Sequence, residues 1–246
     1  MEFVQGIQDA WAWLVERWGT GADPLPWMML VALAVIVATA FVHPLWRAAR
    51  NAVTIVHEMG HVVVARLCGR RIQGIRLHSD TSGLAITKGR PRGFGVLLTS
   101  LAGYPAPGLV GAAMTWAAFA GHAGAALLLF AVLLLLALLL VRNAWGALTV
   151  TVSLAIAGFV LWRDDPSIVT TVVLALGLFL AVGSFRASCD LARAHARGRA
   201  PQSDAKSAAT NSKIPAALWL GSFLVVTALC ALTALWLTVS MLWAAR

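Results

Sequence analysis

Charged side chains, and acidic ones above all, are scarce in this sequence. Only 12% of its 246 residues are charged, with 19 Lys and Arg against 10 Asp and Glu, while 60% are hydrophobic. The mean hydropathy of +0.81 exceeds the usual range of soluble domains. Several uncharged runs are long enough to cross about 30 Å of hydrocarbon. These features exclude a soluble globular domain and predict an integral, multi-pass membrane protein.

Cysteine is rare as well. Cys68, Cys189 and Cys230 lie far apart in the chain, and none of them belongs to a Cys-x-x-Cys pair. Disulfide frameworks and thiolate zinc sites have characteristic cysteine spacings that this sequence lacks. We therefore expect free thiols rather than either kind of site.

The excess of basic residues gives a formal net charge of +9. In a soluble protein this balance would favour nucleic-acid binding, but no basic helix or aromatic-basic module accompanies the charge here. Basic residues of membrane proteins collect in cytoplasmic loops, beside anionic lipid head groups. Segments 66–92 and 186–213 hold most of them and are separated by an even number of predicted spans, so both are expected in the cytoplasm. The expected partner is therefore the lipid bilayer and not nucleic acid.

The hydropathy pattern predicts an all-α polytopic membrane protein with a bundle of about six to seven transmembrane helices. Two β-prone runs, 72–77 and 83–87, are separated by turn-forming residues and predict a small cytoplasmic β-hairpin. Two prolines and two glycines within residues 101–108 predict a kinked or broken helix. The predicted spans are residues 27–46, 51–67, 94–120, 123–141, 144–162, 167–185 and 216–243.

Four regions follow from this pattern. Residues 1–24 form an N-terminal interfacial amphipathic segment, whose helical run 3–18 is too short and too charged to span and has tryptophans at head-group depth. Residues 25–185 form the transmembrane core, which includes the hairpin at 70–93. Residues 186–215 are predicted as a polar, basic cytoplasmic loop, and residues 216–246 as a C-terminal transmembrane helix.

One motif inside the second predicted span carries chemistry. Residues four apart project from nearly the same face of a helix, so His57 and His61 can bind one zinc ion. Glu58 follows His57 by about 100° of rotation, which leaves its carboxylate beside the metal as a general base for water. The motif reads His57-Glu58-Met59-Gly60-His61.

The composition argues against a chance occurrence of this motif. With six His and three Glu in the chain, a random shuffle produces the pattern roughly 0.002 times. Glu58 is also the only acidic residue between Asp23 and Asp80. The alternative interpretation, two core histidines and a buried acid, leaves polar groups in an apolar helix without compensation. The motif therefore predicts a metal site.

These residues resemble the site-2 protease family, the intramembrane zinc metalloproteases that cut membrane-bound regulators. Three parts carry the resemblance, which covers residues 50–160: the His57–His61 motif, the basic β-prone segment after it, and Ala102-Gly103-Tyr104-Pro105. The resemblance implies that His57 and His61 bind catalytic Zn²⁺ and that Glu58 activates water. It further implies membrane-associated substrates and, for a divergent branch of the kind found in high-GC bacteria, a place in the bacterial cell membrane.

The third zinc ligand departs from the family pattern. Family members usually supply it as the aspartate of a Leu-Asp-Gly motif in a later span, and this sequence contains no such motif. The nearest counterpart by position is the segment 141–146, so Asn143 is the predicted third ligand, with Asp204 and Asp190 as alternatives. In the other interpretation, Arg142 reaches the cytoplasmic interface while Asn143 bonds across helices without touching metal.

The preferred function is hydrolysis of peptide bonds in membrane-associated substrates by a zinc-activated water, with Glu58 as the general base. One alternative is a catalytically inactive, site-2-protease-like membrane protein that binds partners, which would explain the missing aspartate. A third interpretation is a membrane transporter. A transporter should show repeated halves with matching polar groups, and the sequence has no convincing internal repeat.

Overall fold

Helices account for 77% of the structure. The computed structural model describes residues 2–163 and 165–245, apart from the side chains of residues 2–4, 40 and 41. Residues 1, 164 and 246, which belong to the predicted regions 1–24, 25–185 and 216–246, lie outside that part. The described elements are α1 (Glu2–Trp18), α2 (Pro26–Phe41), α3 (His43–Leu67), β1 (Arg71–Leu77), β2 (Gly83–Lys88), α4 (Phe94–Ala102), α5 (Pro105–Phe119), α6 (Ala123–Leu140), α7 (Ala144–Arg163), α8 (Pro166–Ala196), α9 (Asp204–Ser212) and α10 (Ala216–Ala244).

Four of the described helices, α6, α7, α8 and α10, are each long and apolar enough to cross a membrane. Two bent pairs, α2 with α3 and α4 with α5, raise the number to six if each pair counts as one span. The predicted all-α polytopic fold is therefore confirmed. The predicted spans 27–46 and 51–67 are joined in the first bent pair. The bend arises because the backbone is extended at Val42 and Pro44 occupies the first turn of α3, where its missing amide proton is not needed.

The predicted interruption of the next span is present between α4 and α5, whose axes differ by 51°. Helix α4 ends at Ala102, and α5 begins at Pro105. Proline fits the first turn of a helix but disrupts a helix interior, so a new helix starts there. The break lies beside α3 and brings Gly103 and Tyr104 to the two histidines.

The predicted hairpin is an antiparallel pair in which Leu77 faces Gly83 and Arg71 faces Lys88. Asp80 stabilises the turn by accepting from the Ser82 backbone N–H at 2.9 Å. The hairpin packs against α3, and the Thr54 hydroxyl donates to the Thr81 carbonyl oxygen at 2.9 Å. One side of the sheet is thereby fixed to α3, the helix that carries His57, Glu58 and His61.

The segment 186–215 is more ordered than the predicted loop. Helix α8 continues to Ala196, and α9 forms a separate short helix before α10. Alanine, leucine and arginine favour helix in residues 186–196, and Leu191 is buried. Ser203 starts α9 as its N-cap, since its hydroxyl accepts from the Lys206 backbone N–H. Gly93, which directly follows segment 66–92, donates its backbone N–H to the Asn211 side chain at 3.0 Å and so brings the polar segments 66–92 and 186–213 close together.

Small residues allow the central helices to approach closely. A Cβ on Gly111 of α5 would collide with the backbone of α8 at Gly177 and Ala181. The Ser184 hydroxyl donates to the Tyr104 carbonyl oxygen at 2.7 Å, which joins α8 to the break before α5. Close packing of this kind is typical of membrane helices.

Candidate metal centre

His57 and His61 lie one turn apart on α3, as the motif predicts. Their Nε2 atoms are 3.1 Å apart, and the two rings meet edge to face with centroids 4.7 Å apart. His61 is buried and His57 is half-buried. Gly60, inside the motif, lets α3 approach the α4–α5 break, because a Cβ there would lie 2.8 Å from the Ala102 carbonyl oxygen.

The other ring nitrogen of His61 is also engaged. Its Nδ1 lies 2.7 Å from the Thr99 carbonyl oxygen of α4. A carbonyl can only accept, so this contact places the proton on Nδ1 and leaves the Nε2 lone pair free for a metal. Such a partner fixes the orientation of a ligating histidine.

Asp204, the first residue of α9, completes a set of three donors. Its Oδ2 atom lies 3.3 Å from His57 Nε2 and 3.3 Å from His61 Nε2. Tetrahedral zinc with bonds of about 2.0–2.1 Å separates its ligand atoms by about 3.3 Å. The three donors therefore lie close enough to form a metal site, and the spacing and the nitrogen and carboxylate donors suit zinc.

Polar contacts hold α9 over the histidines. The Ser207 and Ser100 hydroxyl groups lie 2.7 Å apart, between α9 and α4. Ala205 and Ala208 are fully buried. Together with the Gly93–Asn211 hydrogen bond, these contacts dock α9 on α4 along its length.

The surroundings of Asp204 favour its charged form. Burial alone would raise the pKa of this carboxyl, but the adjacent imidazoles of His61 and His57 lower the pKa below its ordinary value. A carboxylate must be ionised to bind a metal.

Asn143 and Asp190, the two other candidates for the third ligand, have partners outside the group of His57, His61 and Asp204. The Asn143 side chain accepts from the Leu77 backbone N–H at 3.1 Å and donates to the Leu77 carbonyl at 2.6 Å. Next to it, Arg142 Nε donates to the Gln73 carbonyl oxygen at 3.1 Å. The segment thus ties β1 to the start of α7. Asp190 forms an ion pair with Arg193 at 3.0 Å on α8.

Glu58 lies between the histidines and the hairpin, with only 3% of its surface exposed. The Ala85 backbone N–H of β2 lies near its carboxylate. A Cβ on Gly83 would lie 2.8 Å from Glu58 Cδ, so the absence of a side chain at Gly83 lets the hairpin approach the acid. The hairpin therefore positions the predicted general base as well as forming a wall of the site.

Gly103 and Tyr104 form the opposite wall, at the α4–α5 break. A Cβ on Gly103 would lie 2.6 Å from Cε1 of both His57 and His61, so only glycine fits. The Tyr104 ring meets the His57 ring edge to face, with centroids 4.7 Å apart, and stacks on Phe223 of α10. These contacts hold the imidazoles in place.

A cavity of about 580 Å³ opens over these residues. Strand β2 lines one side with Gly83, Ala85 and Thr87, and the turn before α9 lines another with Arg199 and Gln202. This volume lies within the range of binding sites for small molecules and short peptide segments.

Fold and site together define a membrane protein with a candidate divalent-metal centre. The sequence matches the family described as Peptidase M50B-like over residues 29–234. The match covers most of the chain, which therefore belongs to that family, and this is the site-2 protease family of intramembrane metalloproteases. Comparisons with curated proteins and with solved structures gave no match. The resemblance seen in the sequence is thus confirmed at the level of the family.

One signal in the sequence pointed to Asp204. It is the only acidic residue after Asp190 in a chain with ten acids, and Ser203 before it favours the start of a helix. No feature of the sequence predicts the roles of Gly83 and Gly103. Each role depends on the close approach of side chains from α3.

Proposed function

We propose that this protein is a zinc metalloendopeptidase that hydrolyses peptide bonds of membrane-associated substrates, with His57, His61 and Asp204 as metal ligands and Glu58 as general base. The observation that carries the proposal is the triangle of donor atoms, with edges of 3.1, 3.3 and 3.3 Å. Asp204 takes the place that the absent Leu-Asp-Gly aspartate would have filled. This position of Asp204 supports an active enzyme rather than an inactive relative.

When bound, Zn²⁺ acidifies water and polarises the scissile carbonyl. The residues of the chain supply the remaining functions. Glu58 accepts the proton of the attacking water and returns it to the leaving amine. Strand β2, which approaches Glu58 closely at Gly83, confines the Glu58 carboxylate for this transfer.

The substrate has to reach the site as an extended chain. Membrane helices hide their amides in internal hydrogen bonds, so a helix must unwind before attack. The cavity of about 580 Å³ between β2 and the turn before α9 offers room for such a segment. We place both polar segments, and the opening of this cavity, on the cytoplasmic side because of their basic charge.

The proposal is tested by measuring bound zinc and proteolysis on the purified full chain. Detergent-solubilised protein is analysed by elemental mass spectrometry and assayed with quenched-fluorescence casein. We expect about one zinc per chain in the wild type and in Glu58→Gln, and little zinc in His57→Ala and Asp204→Ala. Cleavage should fall at least about 100-fold in all three variants, because each removes a metal ligand or the base.

Asn143→Ala serves as the comparison for the metal ligand. It should retain zinc, since both polar groups of Asn143 bond to the Leu77 backbone. Full zinc in Asp204→Ala together with its loss in Asn143→Ala would overturn the proposed ligand set. Undiminished cleavage by Glu58→Gln would overturn the role of the base.

A further inference from the structure

A second cavity, of about 400 Å³, lies beside the metal centre, between the end of α3 and the start of α4. We call it the basic cavity. Three arginines line it, Arg70, Arg90 and Arg92, and its lining contains no acidic residue. The other lining residues are Cys68, Gly69, Gly89 and residues 93–96.

The basic cavity lies in the most positively charged part of the sequence. Residues 66–92 contain seven Lys and Arg and one acid, Asp80, which amounts to six of the nine net positive charges. Asp80 is engaged in the hairpin turn, where it accepts from the Ser82 hydroxyl at 2.6 Å. Within the described residues, no carboxylate lies in ion-pair distance of the three arginines of the cavity. An anion would therefore neutralise charge that the protein itself leaves unpaired.

Hydrogen bonds hold one arginine of the cavity in place. Arg70 Nη1 donates to the Arg90 carbonyl oxygen at 2.8 Å, while Nε and Nη2 donate to the Thr87 hydroxyl at 3.3 and 3.2 Å. The Arg90 and Arg92 side chains are exposed. Their guanidinium groups can therefore reach a ligand that lies against the fixed side chain of Arg70.

The start of α4 adds backbone donors to the same place. Gly93 is the N-cap and offers no side chain, so the first-turn N–H groups of Phe94 and Gly95 have no acceptor within the helix. Such groups and the helix dipole favour a phosphate. Guanidinium groups and helix amides together are a common arrangement for binding phosphate oxygens.

The apolar neighbours of the cavity indicate where the phosphate comes from. Leu67, at the end of α3, is 80% exposed, and Phe94, at the start of α4, is 71% exposed. Exposed apolar side chains next to arginines, at the ends of membrane helices, are typical of head-group depth. A free phosphate ion would gain nothing from these two side chains, whereas the acyl chains of a lipid would cover them.

We propose that the basic cavity binds the head-group phosphate of one anionic phospholipid, with the acyl chains beside Leu67 and Phe94. Arg70 and Val96 line both the basic cavity and the cavity of about 580 Å³ over the metal centre. The bound lipid therefore lies against the base of the hairpin and next to the metal centre. This proposal does not depend on the protease function, because it concerns binding alone.

The test is native mass spectrometry of the full chain with equal amounts of dioleoyl-phosphatidylglycerol and dioleoyl-phosphatidylcholine. We expect one phosphatidylglycerol molecule to remain bound to the wild type in preference to phosphatidylcholine. The double variant Arg90→Gln/Arg92→Gln should bind phosphatidylglycerol about 30-fold more weakly, the loss expected for two interfacial arginines. A matched double variant, Arg47→Gln/Arg163→Gln, loses the same charge at exposed positions outside the cavity and should bind as the wild type does.

Three results would overturn the proposal. One is an equal loss of phosphatidylglycerol in both double variants, which would mean that only overall charge matters. Another is equal retention of the two lipids by the wild type. The third is displacement of phosphatidylglycerol by millimolar inorganic phosphate, which would make the cavity a site for free anions. If circular dichroism shows that the double variant is unfolded, the single variants Arg90→Gln and Arg92→Gln decide, with each expected to bind several-fold more weakly.

Discussion

The Ser100 and Ser207 hydroxyl groups lie 2.7 Å apart, and this contact connects the helix behind His61 to the helix that carries Asp204. Asp204 lies one turn before Ser207 on α9. A contact between two serines that do not touch the donor atoms themselves therefore helps to hold the third donor in position.

Removing this contact should weaken metal binding without removing a ligand. For Ser207→Ala we expect zinc affinity to fall about tenfold, the effect typical of a lost supporting hydrogen bond around a metal site. The measurement is zinc competition with a chromophoric chelator. Ser153→Ala is the control, because the Ser153 hydroxyl donates only to the Thr149 carbonyl oxygen of its own helix α7. Equal affinity in the two variants would mean that α9 is held by its apolar contacts alone.

A side chain at Gly103 should abolish the site. In Gly103→Ala the new Cβ would lie 2.6 Å from Cε1 of both histidines, so the rings must move by far more than the roughly 0.2 Å that a metal site tolerates. Zinc affinity should fall about 100-fold or more. Gly221→Ala, where a Cβ would meet nothing within 4 Å, should bind zinc as the wild type does. Normal zinc content in Gly103→Ala would show that the histidines do not share one ion.

A side chain at Gly83 should separate catalysis from metal binding. The Cβ of Gly83→Ala would lie 2.8 Å from Glu58 Cδ, which displaces the carboxylate or the hairpin but leaves the histidines in place. The turnover number on casein should fall at least about tenfold, because general-base catalysis contributes about 10²- to 10⁴-fold and depends on position. Zinc content should stay near one per chain. Gly158→Ala, with open space around its Cβ, is the control for both measurements.

Loss of the Asn143 side chain should loosen the hairpin. Asn143→Ala removes two hydrogen bonds to the Leu77 backbone, which together contribute about 2 kcal/mol. Hydrogen exchange of the β1 amides, followed by mass spectrometry, should therefore be up to about 30-fold faster. Asp190→Ala, which breaks an ion pair within α8, should leave this exchange unchanged. Slow β1 exchange combined with loss of zinc would instead support Asn143 as a metal ligand.

The elements that could be predicted from the sequence are those set by local pattern. The spans follow from apolar runs, the break before α5 from Pro105 and Pro107, and the hairpin from two β-prone runs around a turn. The histidine pair follows from helical spacing within five residues. In each case the residues that determine the structure are neighbours in the chain.

The sequence predicts the third metal ligand only as one of three candidates, Asn143, Asp204 and Asp190, because its position depends on contacts between distant segments. Asp204 approaches His57 because α8 turns back at residues 197–203 and α9 docks on α4 through Ser100 and Gly93. Contacts between such distant segments leave no periodic trace in a single sequence. Helix α8 extends through residues 186–196, beyond the predicted span, because the alanines and Leu191 favour helix there despite the charged residues.

The order in which the donors occur along the chain has a consequence for biosynthesis. Both histidines and Glu58 belong to α3, whereas Asp204 is the first residue of α9, which follows α8. Translation therefore produces α4 to α8 after the two histidines and before Asp204. In the proposed ligand set, the three donors can therefore meet only after these intervening helices have been synthesised.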